Sequence, residues 1–413
     1  MPPDAVAAEP SEVGMSAAGL SAALQRYKQC AEAEDLPGGV LVVASKGKCC
    51  YLEAFGKSDA HTGEPMQTDA IFRAASMTKI TTSLAAMILA DRGQLLLDDP
   101  VSKFLPAFES MTRVTGGSSV AHATTTPCAT QMTIRHLMAH TSGLTYGFFA
   151  GSGPCGIVDE MARTLPRMGA CSDESDEVDV AVIAAAPLAF EPGSAFRYSS
   201  STAVLGRIVS VASGVPMDDF LQREICEPLG MVDTAYFVPK EQQHRVVTSY
   251  TRRSPHAAAS GASSSLEAWI DAPDKKLLQL PAASQVTPSS APSKIAADGG
   301  LFTTASDWVH GVHVHAQQKG CVGRWFTVAE QSCVGGYGEP RNARSRHKLL
   351  HPLERPGGQR GPGALRQLSR RRLCTLAVWR GGELILASMC DPAVTWQNLC
   401  QGGTAPVGFF MTL

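Results

Sequence analysis

The sequence predicts an α+β protein: an antiparallel sheet flanked by helices, with a mainly helical subdomain inserted between its strands. Three observations carry this reading. Two apolar runs joined by Lys46-Gly47-Lys48 form a hairpin pattern near the N-terminus. Helical spacing then dominates from Ser76 to Pro228, and a short apolar strand returns in "DGGLFTTASDW" before a last helix. Strands, many helices, then strands is the outline of a sheet interrupted by a helical insertion.

Residues 1–17 are expected to be a disordered tail. Residues 18–35 read as an amphipathic helix, with Leu20, Leu24 and Tyr27 at helical spacing and Pro37-Gly38-Gly39 ending it. Val40 to Val43 form one strand of the hairpin and Tyr51 to Phe55 the return, whose polar Glu53 suits a sheet covered on one face. A helix follows Ser76 with Ile80, Leu84, Met87 and Ile88 on one face and Gly93 at its C-terminus. Pro100 marks a turn or the first position of a short helix. Residues 114–130 hold few bulky apolar residues and read as a surface loop, and Thr133 is placed to cap a helix through His136 and Leu137. The acidic stretch "CSDESDEVD", residues 171–179, reads as a solvated face. Helices are predicted from Ala203 to near Gly214 and from Pro216 to Pro228. Residues 253–296, mostly Ala, Ser and Pro, read as a long excursion, after which Thr304 or Ser306 caps the final helix.

Composition narrows the function. The chain of 413 residues is 44% hydrophobic and 18% charged, as in a globular protein. Its formal net charge of -2 gives no overall field favouring nucleic acid, and no nucleic-acid partner is expected. No apolar run is long enough to cross a bilayer. The opening "MPPDAVAAEPSEVGMS" lacks the basic and apolar regions of a secretory signal, so a cytoplasmic or organellar location is expected. The 12 cysteines show neither paired C-x-x-C knuckles nor flanking histidines at zinc-site spacing. They read as reduced thiols packed as small hydrophobes, and no metal or cofactor is expected. Cys49 and Cys50, adjacent in a strand, leave on opposite faces.

The chemistry begins with "RAASMTKI", which sets Ser76 and Lys79 three residues apart. On a helix such residues share a face, so the two side chains can meet. A Ser hydroxyl is a weak nucleophile and needs a base within hydrogen-bond reach. A lysine serves only when burial or a neighbouring cation depresses its pKa, and the apolar surroundings in "FRAASM" supply burial. Alone, this pattern is a weak signal, because surface helices contain it by chance.

It stands among five further segments: "LLLDDPVSKFLP", "MTIRHLMAHTSGL", "FEPGSAFRYSSSTAVLGRIV", "ICEPLGMVDTAYFV" and "DGGLFTTASDW". Together, over residues 18–310, they resemble the β-lactamase-related serine hydrolases: class C β-lactamases, family VIII-type esterases and D-alanyl peptidases. The resemblance implies a β-lactamase/transpeptidase-like fold and an acyl-enzyme at Ser76, with Lys79 as proton-transfer partner. Tyr198 matches the tyrosine of the family's Tyr-x-Asn element, and Ser200 stands where that element has Asn. A hydroxyl lacks the amide's reach, which makes β-lactam hydrolysis the less favoured reaction. His140 and Ser142, in "HTSGL", are implied to brace the site rather than to react.

The family's third element, on the strand facing the nucleophile, has no clear match. Its nearest candidate is "VWRGGELILAS", with Trp379 in the aromatic position and Gly381 and Gly382 supplying backbone for the oxyanion. Residues 311–413 carry 13 Lys+Arg against 5 Asp+Glu, whereas residues 1–310 carry 23 against 33. The organisation expected is therefore a catalytic region over 18–310, with a helical subdomain at about 90–245, followed by an atypical basic region. That region either completes the sheet or is translated partly out of frame, which sequencing the transcript across codons 305 to 345 decides. The function expected is a serine hydrolase acting on small esters or amides. The alternative is a catalytically impaired relative serving as a binding or assembly scaffold.

Overall fold

In a computed structural model, the protein is described over residues 7–34, 36–45, 48–147, 153–163, 176–252, 277–279, 286–292, 294–318, 375–380, 383–388 and 407–412. Helix α1 (Ala17–Glu32) starts at Ser16, whose side chain accepts the Gly19 N–H. It precedes an antiparallel hairpin of β1 (Gly38–Ser45) and β2 (Lys48–Gly56).

All eight residues of β1 are buried, which corrects the expectation of a sheet covered on one face. Val40, Val42 and Ala44 pack with Trp308 and Val309, while Leu41 and Val43 pack with Leu20 and Leu24 of α1. A strand covered on both sides needs an unbroken apolar run, and Val40–Val43 is one. Cys49 and Cys50 divide between the same two clusters, as alternation requires. Burial pushes the Cys50 thiol up to about 12, so it packs as a small hydrophobe.

The tail expected over residues 1–17 is packed from residue 7 onward. Ala8, Val13 and Met15 join the cluster under α1, and Pro10–Val13 forms a 3-10 turn closed by Gly14. These apolar residues follow no period, so local pattern gave no sign of it.

Strand β3 (Ile71–Arg73) leads through a 3-10 turn, Ala75–Met77, into α2 (Thr78–Asp91). Pro100 then precedes a 3-10 turn, Val101–Lys103. Residues expected to form a surface loop instead contain the antiparallel pair β4 (Thr112–Gly116) and β5 (Thr124–Pro127). All four residues of β5 are exposed, so its threonines carried no core pattern. Helix α3 (Ile134–Met138) is capped by Thr133, whose hydroxyl accepts the His136 N–H while His136 Nδ1 accepts the Thr133 N–H.

Helices α4 (Gly153–Ala162), α5 (Asp176–Ala185) and α6 (Ser201–Ser213) follow, and Gly214 closes α6 in the left-handed conformation. The acidic residues 171–175 lie outside the described residues. The helix predicted from Pro216 runs as α7 (Met217–Leu221), a π turn (Gln222–Cys226) and α8 (Glu227–Leu229). Beyond it, β6 (Tyr250–Arg252) pairs with β7 (Leu277–Gln279), within an excursion that lies largely outside the described residues.

Strand β8 (Phe302–Thr304) pairs with β3, and α9 (Ala305–Gln318) begins with the Thr304 hydroxyl accepting the Asp307 N–H. Near the C-terminus β9 (Thr375–Arg380) pairs with β10 (Glu383–Ser388), and β11 (Val407–Thr412) pairs antiparallel with β1. The first sheet therefore runs β11-β1-β2. Helices plus small antiparallel sheets make the protein α+β. The largest core joins α2, α3, α6 and α7 through Leu89, Leu137, Leu205 and Leu221. Among the described residues, no helix is long and apolar enough to cross a membrane.

Candidate active site

Ser76 sits on the turn between β3 and α2, immediately after Ala75, which holds φ at 45°. A non-glycine residue in that region is strained, and such strain gathers at functional turns. The Ser76 side chain is left exposed while Lys79, one turn on, is 8% exposed.

Helix α2 fastens the segment 297–301 beside Ser76 at three points. The Thr82 hydroxyl donates to the Ala297 carbonyl at 2.5 Å, Lys79 Nζ to the Asp298 carbonyl at 2.6 Å, and the Thr78 hydroxyl accepts the Leu301 N–H at 3.2 Å. This explains a departure from the sequence reading. The most deeply buried positions of α2 are Thr78, Lys79, Thr81, Thr82, Ala85, Ala86 and Leu89, while Ile80, Leu84, Met87 and Ile88 are half-buried. Small and hydroxyl side chains face inward because neighbouring backbone comes close there.

Three of the expected site residues come together. Lys79 Nζ donates to Ser76 Oγ at 3.3 Å, and the Tyr198 hydroxyl donates to the same oxygen at 2.7 Å. Lys79 Nζ also lies 4.9 Å from the Tyr198 ring centroid and 5.4 Å from that of Tyr146. The Tyr146 hydroxyl donates to Asp298 Oδ2 at 2.5 Å, closing a ring of contacts around the amine. An ammonium over aromatic faces is held by their negative quadrupoles.

His140 supports Tyr198 from behind. Its ring stands 4.8 Å from the Tyr198 ring, centroid to centroid. Its Nδ1 accepts the Ser199 N–H at 3.2 Å, and its carbonyl accepts the Arg197 N–H at 2.9 Å. Burial, and secondarily the Lys79 charge, lower the His140 pKa to about 3, so the ring is neutral at ordinary pH. Ser142 continues the brace: its hydroxyl lies 2.7 Å from Ser201 Oγ and accepts the Leu144 N–H.

Of the remaining expected residues, only Ser200 has a described side chain. The Ser200 hydroxyl donates to the Thr145 carbonyl at 3.3 Å, tying the start of α6 to the loop after α3. Trp379 lies in β9, with its side chain outside the described residues, and Gly381 and Gly382 lie outside them altogether. Sequence reading did not single out Tyr146 or Asp298. Tyr146 lies two residues beyond the "HTSGL" segment, and Asp298 opens the "DGGLF" segment. Both were in view, but no local pattern marks a ring or a carbonyl aimed at Lys79.

The Beta-lactamase family model matches residues 24–332, and the chain belongs to that family. It is 32% identical over 287 residues to Protein Rv1367c of Mycobacterium tuberculosis, covering 70% of this chain and 64% of that one. It is 34% identical over 249 residues to Esterase EstB of Burkholderia gladioli, covering 59% of this chain and 58% of the esterase. The chain thus spans somewhat less than two thirds of these relatives. Among solved structures, EstCE1, a hydrolase with promiscuous acyltransferase activity, superposes with a TM-score of 0.55 at 25% identity, covering 73% of this chain and 74% of that one.

Proposed function

We propose that this protein is a serine hydrolase that forms an acyl-enzyme at Ser76 on small esters or amides. The observation that carries this reading is the approach of both Lys79 Nζ and the Tyr198 hydroxyl to Ser76 Oγ, at 3.3 and 2.7 Å. Esterase EstB and EstCE1 support the same general chemistry.

In the reacting state Tyr198 acts as the base, its oxygen, 2.7 Å from Ser76 Oγ, accepting the serine proton while Lys79 Nζ lies beside its ring. Ser76 Oγ forms a bond to the substrate carbonyl carbon as its proton passes to Tyr198. The tetrahedral oxyanion takes the Ser76 backbone N–H as one donor, with Trp379 to Gly382 proposed to supply the second. Collapse breaks the bond to the leaving group, which takes the proton from Tyr198. Water then attacks the acyl carbon as Tyr198 accepts its proton, and collapse breaks the bond from that carbon to Ser76 Oγ, which takes the proton back from Tyr198 as the acid leaves. No step calls on a metal.

Ser200 argues for ester over β-lactam substrates, because its hydroxyl is engaged with the Thr145 carbonyl. The test is a series of p-nitrophenyl esters run beside nitrocefin, together with labelling by a fluorescent fluorophosphonate. Ester hydrolysis and labelling are expected, both lost in Ser76→Ala. Lys79→Met and Tyr198→Phe should each lower kcat by roughly 10²- to 10⁴-fold. A wild-type protein that neither labels nor hydrolyses any member of the series would return the reading to a non-catalytic scaffold.

A further inference from the structure

The geometry points to Asp159 as a positioning residue that sets the placement of Tyr146 and Tyr198 around Lys79. This rests on the reading of Tyr198 as the proton shuttle of Ser76.

Asp159 lies on α4 and is fully buried. One of its carboxylate oxygens accepts the Thr145 hydroxyl and the other accepts Arg197 Nη2. Thr145 Oγ1 in turn accepts Arg197 Nε and the Gly147 N–H, both at 3.4 Å. A hydroxyl has one proton and two lone pairs, so this one is fully used. Arg163 adds a second tie from the end of α4, its Nε donating to the Gly147 carbonyl at 3.0 Å.

The residues bound by Asp159 are the immediate predecessors of the two tyrosines. Thr145 precedes Tyr146, and Arg197 precedes Tyr198. Thr145 and Arg197 reach Asp159, while Tyr146 and Tyr198 reach Lys79. The two rings stand 5.5 Å apart, centroid to centroid, with the amine near both. Fixing residues 145 and 197 to one carboxylate therefore fixes the gap between the rings. Burial pushes the Asp159 carboxyl above its ordinary range, against the pull of Thr145 and the Arg197 and Arg163 charges. A buried carboxylate is costly unless satisfied, and here its two oxygens hold together segments some 50 residues apart in sequence.

The test is a double-mutant cycle on the full chain with Asp159→Asn and Tyr198→Phe. It is read as kcat and KM on a p-nitrophenyl ester, as the rate of fluorophosphonate labelling, and as the thermal midpoint. Asp159→Asn is expected to lower kcat and the labelling rate by roughly 10- to 100-fold, the scale of a misplaced catalytic group, with KM changed much less. In the Tyr198→Phe background the same substitution should lower the labelling rate by a clearly smaller factor than in wild type, because the part of its effect that runs through the Tyr198 hydroxyl is already gone and only that through Tyr146 remains. Independent, multiplying losses would make Asp159 merely structural and overturn the inference. So would wild-type kcat in Asp159→Asn while Tyr198→Phe is impaired, and that result would leave the proposed function standing. Wild-type kcat in Tyr198→Phe would instead remove the proposed mechanism and this inference with it. If Asp159→Asn does not accumulate folded, Arg197→Lys, at a side chain 18% exposed, runs the same cycle with the same outcomes.

Discussion

His140 holds φ at 51° with 2% of its surface exposed, and its neutral ring is the back wall of the site. A protonated ring would lose the Ser199 N–H contact at Nδ1 and place a second cation near Lys79. Its folded pKa of about 3 lies below the unfolded value of 6.5, so the unfolded chain takes up the proton first as pH falls. The associated stability is complete above pH ~6.5 and is lost progressively down through the folded pKa. By linkage the whole window is worth on the order of 5 kcal/mol. NMR of the imidazole should show no His140 titration between pH 7.5 and 4.5. Over the same range the urea midpoint should fall more steeply in wild type than in His140→Gln. Equal slopes would mean that His140 is charged or solvated in the folded state.

Among the elements, the close passage of α6 against the 297–301 segment matters most. A Cβ added at Gly206 would lie 2.2 Å from the Ala297 Cβ, and Ala297 adjoins the Asp298 carbonyl that binds Lys79. Two effects of Gly206→Ala oppose each other. Helix propensity favours alanine by up to about 1 kcal/mol, whereas overpacking costs about 1–3 kcal/mol. Because the obstructing atom is a short side chain on hydrogen-bonded backbone, the clash should win. The variant is expected to be destabilised by about 1–2 kcal/mol, with kcat reduced as the Asp298 carbonyl is pushed off Lys79. A thermal midpoint above that of wild type would show that the segment yields freely.

For the whole molecule, the critical pairing joins the two ends of the chain. Strand β11 pairs with β1 from Gly39↔Thr412 to Ala44↔Val407. Removing residues 407–413 would leave one edge of a wholly buried strand with unpaired N–H and C=O groups, a template for aggregation. The truncated protein should show a lower denaturation midpoint and associate at concentrations where the full chain does not. Truncation without effect on either measurement would place β1 at a natural edge of the sheet.

Local pattern was enough for the α+β class, for α1, the β1–β2 hairpin, α2 and α6, and for the meeting of Ser76 with Lys79. Each depends on residues a few positions apart, whose spacing on a helix or strand is set by backbone geometry. The ordered segments also singled out Tyr198, but only the tertiary structure brings its hydroxyl to a serine 122 residues earlier in the chain. Tyr146, the Asp298 carbonyl, the Asp159 tie and the neutral state of His140 were likewise beyond local pattern. Each arises where packing expels water and brings distant backbone within bonding reach. The inward face of α2 shows the same limit: periodicity selected its large apolar residues, yet a close-crossing partner required small and hydroxyl ones. Sequence alone determined which residues could react, and tertiary packing decided what surrounds them, because contact and dielectric depend on neighbours far away in the chain.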